Sequence, residues 1–330
     1  MSGNFADGSI TVTTSENDKI QIVLNGVKIA SSSGPAIDIQ SADKCFITLA
    51  EGTQNSLSDG SAFTSEGANA CIYATCDLAI NGSGSLDVSG NYRHGVFSKD
   101  DLVVYGGSIN VSAVEDGLNG KGGQAGEAPS DLGHVPDAQG RMERGGQAPG
   151  GQGGAPGASD SNCLIQINGG KVALDSQGDG VDSNGNVEIN GGTLLVNGPS
   201  SDGDGAFDYD GEATISGGTV LMAGAVGMAQ SFTSGTQAFA LVQASGSAGS
   251  VIEATDADGN VIATLTATRA FGCVLVSGAG VSDGDTITVS VDGAVTMATA
   301  STTGTSGIAT GGMGGGPATG NRPEGQGGSA

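Results

Sequence analysis

Two adjacent stretches, DGVDSNGNVEINGGTLLVNG from Asp179 and DGAFDYDGEATISGGTVLMAG from Asp204, are nearly the same phrase written twice. Self-similarity at a short period constrains a fold more than any local propensity, because each unit must bury its apolar face against the next. The phrase recurs upstream near Pro35 (PAIDIQSADKCFITL), Ala70 (ACIYATCDLAINGSGSLDVSG), His94 (HGVFSKDDLVVYGGSINVSA) and Asp116 (DGLNG). Cys71 to Gly95 is a step of 24 and Gly95 to Gly117 a step of 22, so the unit is roughly 22 to 26 residues. Gly117 to Gly180 is 63, which is one unit interrupted by an insertion of roughly 40 residues.

Each copy holds three short alternating strands, such as GVDS, NVEIN and TLLVN, parted by NG, GG and DG turns. Short strands at this period without helices predict an all-β parallel β-helix, whose turns stack at about 4.8 Å. A leucine-rich repeat lacks its Leu/Asn signature here, and a β-sandwich does not repeat one phrase. Gly is 62 of 330 residues, but no G-X-Y period exists, which excludes collagen. The expected organisation is a β-helix over 1–235, interrupted by a disordered Gly/Pro-rich loop at 120–162. A small antiparallel β cap follows over 236–299, with a disordered tail over 300–330. DADGN at 256–260 faintly resembles a calcium loop, but an Asp-Gly hairpin turn is expected there.

Stacked coils turn rows into columns. The apolar position after the Gly reads Ile37, Ile72, Val96, Leu118, Val181 and Phe207, an inward ladder. The next residue points outward because side chains alternate along a strand. That column reads Asp38, Tyr73, Phe97, Asn119, Asp182 and Asp208. Two positions on stand Lys99, Lys121, Asn184 and Asp210. The preceding turn carries Glu115 and Asp116, then Asp179, then Asp202 and Asp204. Two bare carboxylates one coil apart repel by about 1 kcal/mol in water and several-fold more at an effective dielectric near 20. No basic residue lies between Lys171 and Arg269 to offset them. A hard divalent cation would, since Ca²⁺ takes six to eight oxygens at most such sites. The candidate ligands are therefore Asp182, Asn184, Asp208 and Asp210. Asp116, Asp179 and Asp204 are weaker, because Asp179 and Asp204 are also explained as turn formers. Tyr73 and Phe97 can stack on sugar rings, with Arg93, Lys99 and Lys121 nearby to pair with uronate carboxylates.

Net charge is -24, which argues against nucleic acid. No apolar run is long enough for a transmembrane helix. Five Cys without a CxxC pair make zinc improbable. Cys45, Cys76 and Cys163 are read as one column, leaving a Cys45–Cys76 disulfide open. His94 and His134 have no nucleophile pattern beside them and are read as non-catalytic.

KIQIVLNGVKIASSSGPAI, ITLAEGTQNSLSDG, SKDDLVV, the Asp179–Gly211 phrase and SGGTVLMAGAVGMAQ together resemble the bacterial carbohydrate-binding domain family of secreted and cell-surface proteins. The resemblance implies a calcium-containing right-handed parallel β-helix, shaped like pectate lyases, that binds cellulose and polygalacturonate. It also implies export, with a signal upstream of MSGNFADGSITV, and a monomer is expected. Two functions follow. One is a non-catalytic, calcium-stabilised polysaccharide-binding module. The alternative is a calcium-dependent lyase acting by β-elimination, for which Lys99, Lys121 or Arg93 would be the base. A purely structural adhesin is a third reading.

Overall fold

A computed structural model describes residues 1–64, 67–122 and 163–304. The expected loop beyond residue 122, His134 and the expected tail beyond 304 lie outside the described residues, while the tail's start, Ser301–Thr303, is a strand paired with Ser234–Val242. Gly120, read as the start of that loop, instead ends the strand Leu118–Gly120.

Val/Ile/Leu-rich runs broken by Gly and Asn form short strands, three to six residues long except for the nine-residue Ser234–Val242, and no helix occurs among the described residues. The parallel pairings separate into three ladders. One is a seven-stranded sheet running from Ile10–Thr13 through Val181–Ser183 to Phe207–Tyr209. The others merge in an 18-stranded sheet, one beginning at Gly3–Phe5 and one at Lys19–Leu24. Three strands per circuit, each hydrogen-bonded to its counterpart in the next, make a β-solenoid-like frame. Equivalent positions step by 25 residues from Gln21 to Phe46 in the strand register, and polar contacts step by 22 from Asn168 to Asn190 and 26 from Asn190 to Ser216.

Register follows the apolar pattern because a slip of one residue would turn every core side chain outward. Ile37, Ile72, Val96, Leu118, Val181 and Phe207 pair in succession, and all are buried. The interior is aliphatic along most of its length. At its C-terminal end Phe207, Phe232 and Phe239 close it, with ring centroids 5.2 and 5.3 Å apart in tilted and edge-on arrangements.

The last coil faces two cores. In Thr219–Gly224, Val220 and Met222 point into the solenoid, while Leu221 and Ala223 join a second cluster containing Ile252, Val274, Val276, Ile287 and Val289. Cys273–Ser277 pairs antiparallel with both Thr219–Gly224 and Ser234–Val242, so its backbone covers what would otherwise be open ends. A four-stranded antiparallel sheet (Val251–Thr255, Val261–Thr266, Thr286–Val291, Ala294–Thr299) completes this region. The DADGN stretch is the hairpin turn between its first two strands. The Asp256 carboxylate is spent on the Asp258 and Asn260 N–H groups.

The cysteine column needs correction. Cys45 pairs in register with Leu78, two positions beyond Cys76, and all five cysteines are buried with none in a disulfide. A strand residue aimed inward and a residue at the corner before a strand do not share a column.

The GG turns show why the phrase repeats. Gly170, Gly192 and Gly218 all have positive φ, and a Cβ on Gly192 would stand 2.7 Å from Gly169 C and Gly170 O of the coil before. Gly259 also has positive φ, yet a Cβ there meets nothing within 4 Å. Gly259→Ala is therefore expected to cost about 1 kcal/mol of conformational strain. Gly192→Ala should cost several kcal/mol, since the stacked backbone must also move. Equal shifts in urea midpoint for the two variants would show that close stacking is not what the turn glycine serves.

Candidate functional site

Strand pairing brings the outward column together as a physical stack: Tyr73 against Phe97, Phe97 against Asn119, Asn119 against Asp182, and Asp182 against Asp208. Outward from the core does not mean exposed here. Phe97 is 7% exposed, Asp182 8% and Asn119 0%. A second column runs beside it at the turn. His94 Nδ1 lies 2.9 Å from Oδ2 of Asp116, whose Oδ1 accepts the Asp179 backbone N–H at 3.0 Å, and Asp179 Oδ1 accepts the Gly205 N–H at 2.6 Å.

The carboxylate oxygens of Asp116, Asp179 and Asp182 converge within 4.8 Å of one another. Of the seven residues predicted as ligands, these three meet. Asn184 lies at the rim, its Oδ1 3.4 Å from Lys121 Nζ. Asp208 is one coil on, held by Gln230 Nε2 at 2.6 Å. Asp210 is exposed, and Asp204 stands one residue before the column position that Gly205 occupies. The sequence places Asp204 opposite Asp179 only if the two copies align without their one-residue offset at the turn.

Burial decides the electrostatics. Desolvation pushes Asp179 up to about 7, reinforced by Asp116, Asp182 and Asp208 and opposed by the Gly205 N–H. Desolvation likewise raises Asp182 to about 6, against the pull of Lys121. Asp208 is raised by burial and by Asp210. Asp116 is the exception. Its burial would raise it, but the His94 imidazole, the Asn119 amide and the Asp179 N–H together hold it below the ordinary carboxylate value.

Lys121 changes the sequence argument. The acidic stretch has no basic residue of its own, yet Lys121 from the preceding coil sets its Nζ 2.5 Å from Asp182 Oδ2. Predicted as a glycan contact, it is built into the acid cluster. Arg93 pairs with Glu115 at 2.6 Å, Glu115 lies 3.6 Å from His94 Nε2, and His94 Nδ1 is 2.9 Å from Asp116 Oδ2. An unbroken chain of charged and polar contacts thus joins Arg93 to the cluster. His94 was readable only as a column, His94–Asp116–Asp179, and not from neighbours in the chain.

The donor set suits a hard cation. The converging groups are carboxylate oxygens with the Asn119 amide between them and no thiol among them, and the His94 imidazole meets the set at Asp116 Oδ2. Asn119 Nδ2 donates to Asp116 Oδ2 at 2.5 Å and to Asp182 Oδ2 at 2.8 Å, while its Oδ1 is buried without a partner. Turning the amide over would present that oxygen to a cation between the same carboxylates. Gly178 packs so that a Cβ would meet Asp116 Oδ1 at 2.6 Å, leaving the carboxylate room. These residues fit a divalent oxygen-seeking ion.

The aromatic candidates are differently placed. Tyr73 and Phe97 stack at 5.0 Å and 12°, and with Phe97 covered, only Tyr73 offers partly open ring surface. A pair that the sequence reading missed, Phe63 and Tyr92, stacks at 4.4 Å beside Arg93, both rings half-buried. Lys99 is exposed at its turn. With aromatics only 4% of the chain, such a surface pair is a signal in itself.

Asp101 lies away from this cluster. It is 2% exposed, its Oδ1 accepts the Leu164 N–H at 2.9 Å, and its Oδ2 is buried without a partner. Burial first, then Asp77, raises it to about 7. A raised folded-state value means that the fold holds the proton more tightly than the unfolded chain, so the stability it contributes is full below about pH 4 and lost as pH rises through about 7. Thermal unfolding in EDTA should show the melting temperature falling over that window, and Asp101→Asn should flatten the fall while keeping the Leu164 bond. An unchanged slope in the variant would count against the assignment.

Comparisons with known proteins bear on the N-terminal part most directly. A family model described as carbohydrate-binding domain-containing protein matches residues 1–125. A carbohydrate-binding domain-containing protein of Acetivibrio thermocellus is 37% identical over 118 residues, which are 34% of this chain and 41% of that protein. The chain thus spans about two-fifths of the length of the curated relative it matches. A solved structure of a polysaccharide lyase-like protein from C. thermocellum, as a gadolinium derivative, is 26% identical with a TM-score of 0.45, covering 66% of this chain and 79% of that one.

Proposed function

We propose that this chain is a non-catalytic polysaccharide-binding module for plant cell-wall type glycans, cellulose or pectin-like polygalacturonate, stabilised by calcium. The frame in this reading is a right-handed parallel β-helix of roughly 22- to 26-residue coils, working as a monomer, secreted or on a bacterial cell surface. The observation that carries it is the joining, along one edge of the seven-stranded sheet, of an all-oxygen cluster to a basic, aromatic-flanked surface. Asp116, Asp179 and Asp182 would hold the ion with Asn119, and Asn184 and Asp208 stand close enough in the stack to complete the shell through water. Arg93, Lys99, Tyr73 and Tyr92 would face the glycan, the rings stacking on sugars and the cations meeting uronate carboxylates. The match of residues 1–125 to a carbohydrate-binding family supports the same reading.

A lyase needs a neutral base within reach of the proton it abstracts. Arg93 is ion-paired to Glu115 and Lys121 to Asp182, which leaves Lys99 on an exposed turn. That geometry favours binding over elimination.

At calcium about 100-fold above its dissociation constant, linkage adds about 2.7 kcal/mol to stability. EDTA should therefore lower the melting temperature by a few degrees, and Asp179→Asn/Asp182→Asn should lose the response. A melting temperature indifferent to EDTA would leave the cluster as a set of turn and strand carboxylates only. For the glycan, retention on immobilised cellulose and polygalacturonate should fall on Tyr73→Ala and Arg93→Ala with the fold intact. Incubation with polygalacturonate and calcium should give no sustained rise in absorbance of unsaturated product. Turnover abolished by Lys99→Ala or Lys121→Ala would replace the binding reading with the lyase.

A further inference from the structure

The ammonium of Lys121 sits where an incoming cation must act. Its Nζ is 2.5 Å from Asp182 Oδ2, the same oxygen that accepts from Asn119, and 3.4 Å from Asn184 Oδ1. A divalent ion taking Asp182 Oδ2 as a ligand at about 2.3–2.6 Å would compete for that oxygen with the Asn119 amide and the Lys121 ammonium, which both already donate to it. The two like charges would stand within a few ångströms in a largely buried site, where repulsion is strong. Release of the ammonium removes that repulsion.

Lys121 is built to leave. Its backbone is pinned, the N–H donating to Ser98 O at 3.1 Å and the C=O accepting Asn184 Nδ2 at 3.2 Å. Its side chain is 37% exposed, against 11% for that of Asp182. The stem can therefore swing toward solvent without disturbing the ladder. The place it swings toward is marked by its own column. Lys121 stacks on the strand that carries Ser98, and Lys99, next along that strand, donates its N–H to Ala74 O in the same pattern. Lys99 is exposed. A released Lys121 would thus extend from a backbone position one coil, about 4.8 Å, from that of Lys99, so that both ammonium groups could reach one ligand. Alone they repel. A chain of regularly spaced carboxylates relieves that repulsion, and a neutral sugar does not.

We propose that Lys121 is an internal counter-ion which a divalent cation displaces, and that the displaced ammonium joins Lys99 in binding the carboxylates of an acidic, uronate-type glycan. This rests on the calcium-stabilised binding reading above and narrows it. The acidic glycan is the coupled ligand, and cation and glycan tighten each other's binding reciprocally. The apparent conflict of an ammonium inside a cation cluster becomes the device that links the two ligands.

The test uses calorimetric titration of the whole chain with calcium, and with trigalacturonate in calcium or in EDTA, with cellotriose as the neutral control. Wild type should bind trigalacturonate about three- to tenfold more tightly in calcium, with cellotriose unaffected. Lys121→Met should bind calcium more tightly by a similar factor, since nothing need be evicted, and its trigalacturonate affinity should be the same with and without calcium. Lys99→Met should weaken trigalacturonate in calcium while leaving calcium affinity unchanged, which tests the pair without touching the cluster. Unfolding curves confirm that each variant is folded. Calcium affinity equal in wild type and Lys121→Met, or undiminished coupling in that variant, overturns the exchange alone. A wild type that takes up no calcium overturns the calcium reading and the exchange together.

Discussion

Backbone pairing between successive coils is the interaction on which the rest depends. Strands this short are not stable alone, so their hydrogen bonds and apolar side chains are both satisfied by the coil before and the coil after. Register is held by the core. Ile37, Ile72, Val96, Leu118, Val181 and Phe207 stay stacked because moving any strand by one residue would expose its aliphatic side chain. Once that column is locked, every other column is locked with it, polar ones included.

The polar columns then bear a charge problem that an isolated strand would not have. Stacking places Asp182 beneath Asp208 and Asp116 beside Asp179, in surroundings dry enough to push Asp179 and Asp182 toward neutral values. The protein answers locally with different partners. His94 and Asn119 hold Asp116 charged, Lys121 reaches across to Asp182, and Gly205 caps Asp179. The Asn119 Oδ1 is left buried and unpaired, and an unsatisfied buried acceptor costs free energy that a ligand can recover. Tight stacking and an unfinished polar cluster have the same origin in the repeat.

Much of this was legible in the chain. The three-strand period, the inward ladder and the outward column of Asp38, Tyr73, Phe97, Asn119, Asp182 and Asp208 could be written down by aligning phrases, because parallel stacking maps sequence period directly onto space. The reading lost accuracy at corners. Phrase alignment puts Cys45 in one column with Cys76 although it is an inward strand residue opposite Leu78, and it pairs Asp204 with Asp179 although Gly205 is the equivalent residue. Turns absorb insertions of one or two residues without disturbing the strands, so alignment by phrase carries no register across them.

What the sequence determined by itself was therefore periodic: the strand content, the order of coils, which side chains point in, and the acidic character of one stretch. Only the tertiary structure decided how deeply the outward column is buried, since coverage by neighbouring turns has no period to read. The same packing brought His94 and Lys121, from earlier coils, into contact with Asp116 and Asp182. A column predicts which residues are stacked. The length and direction of a side chain reaching sideways from the next column decide which of them are paired, and that is set by packing in three dimensions.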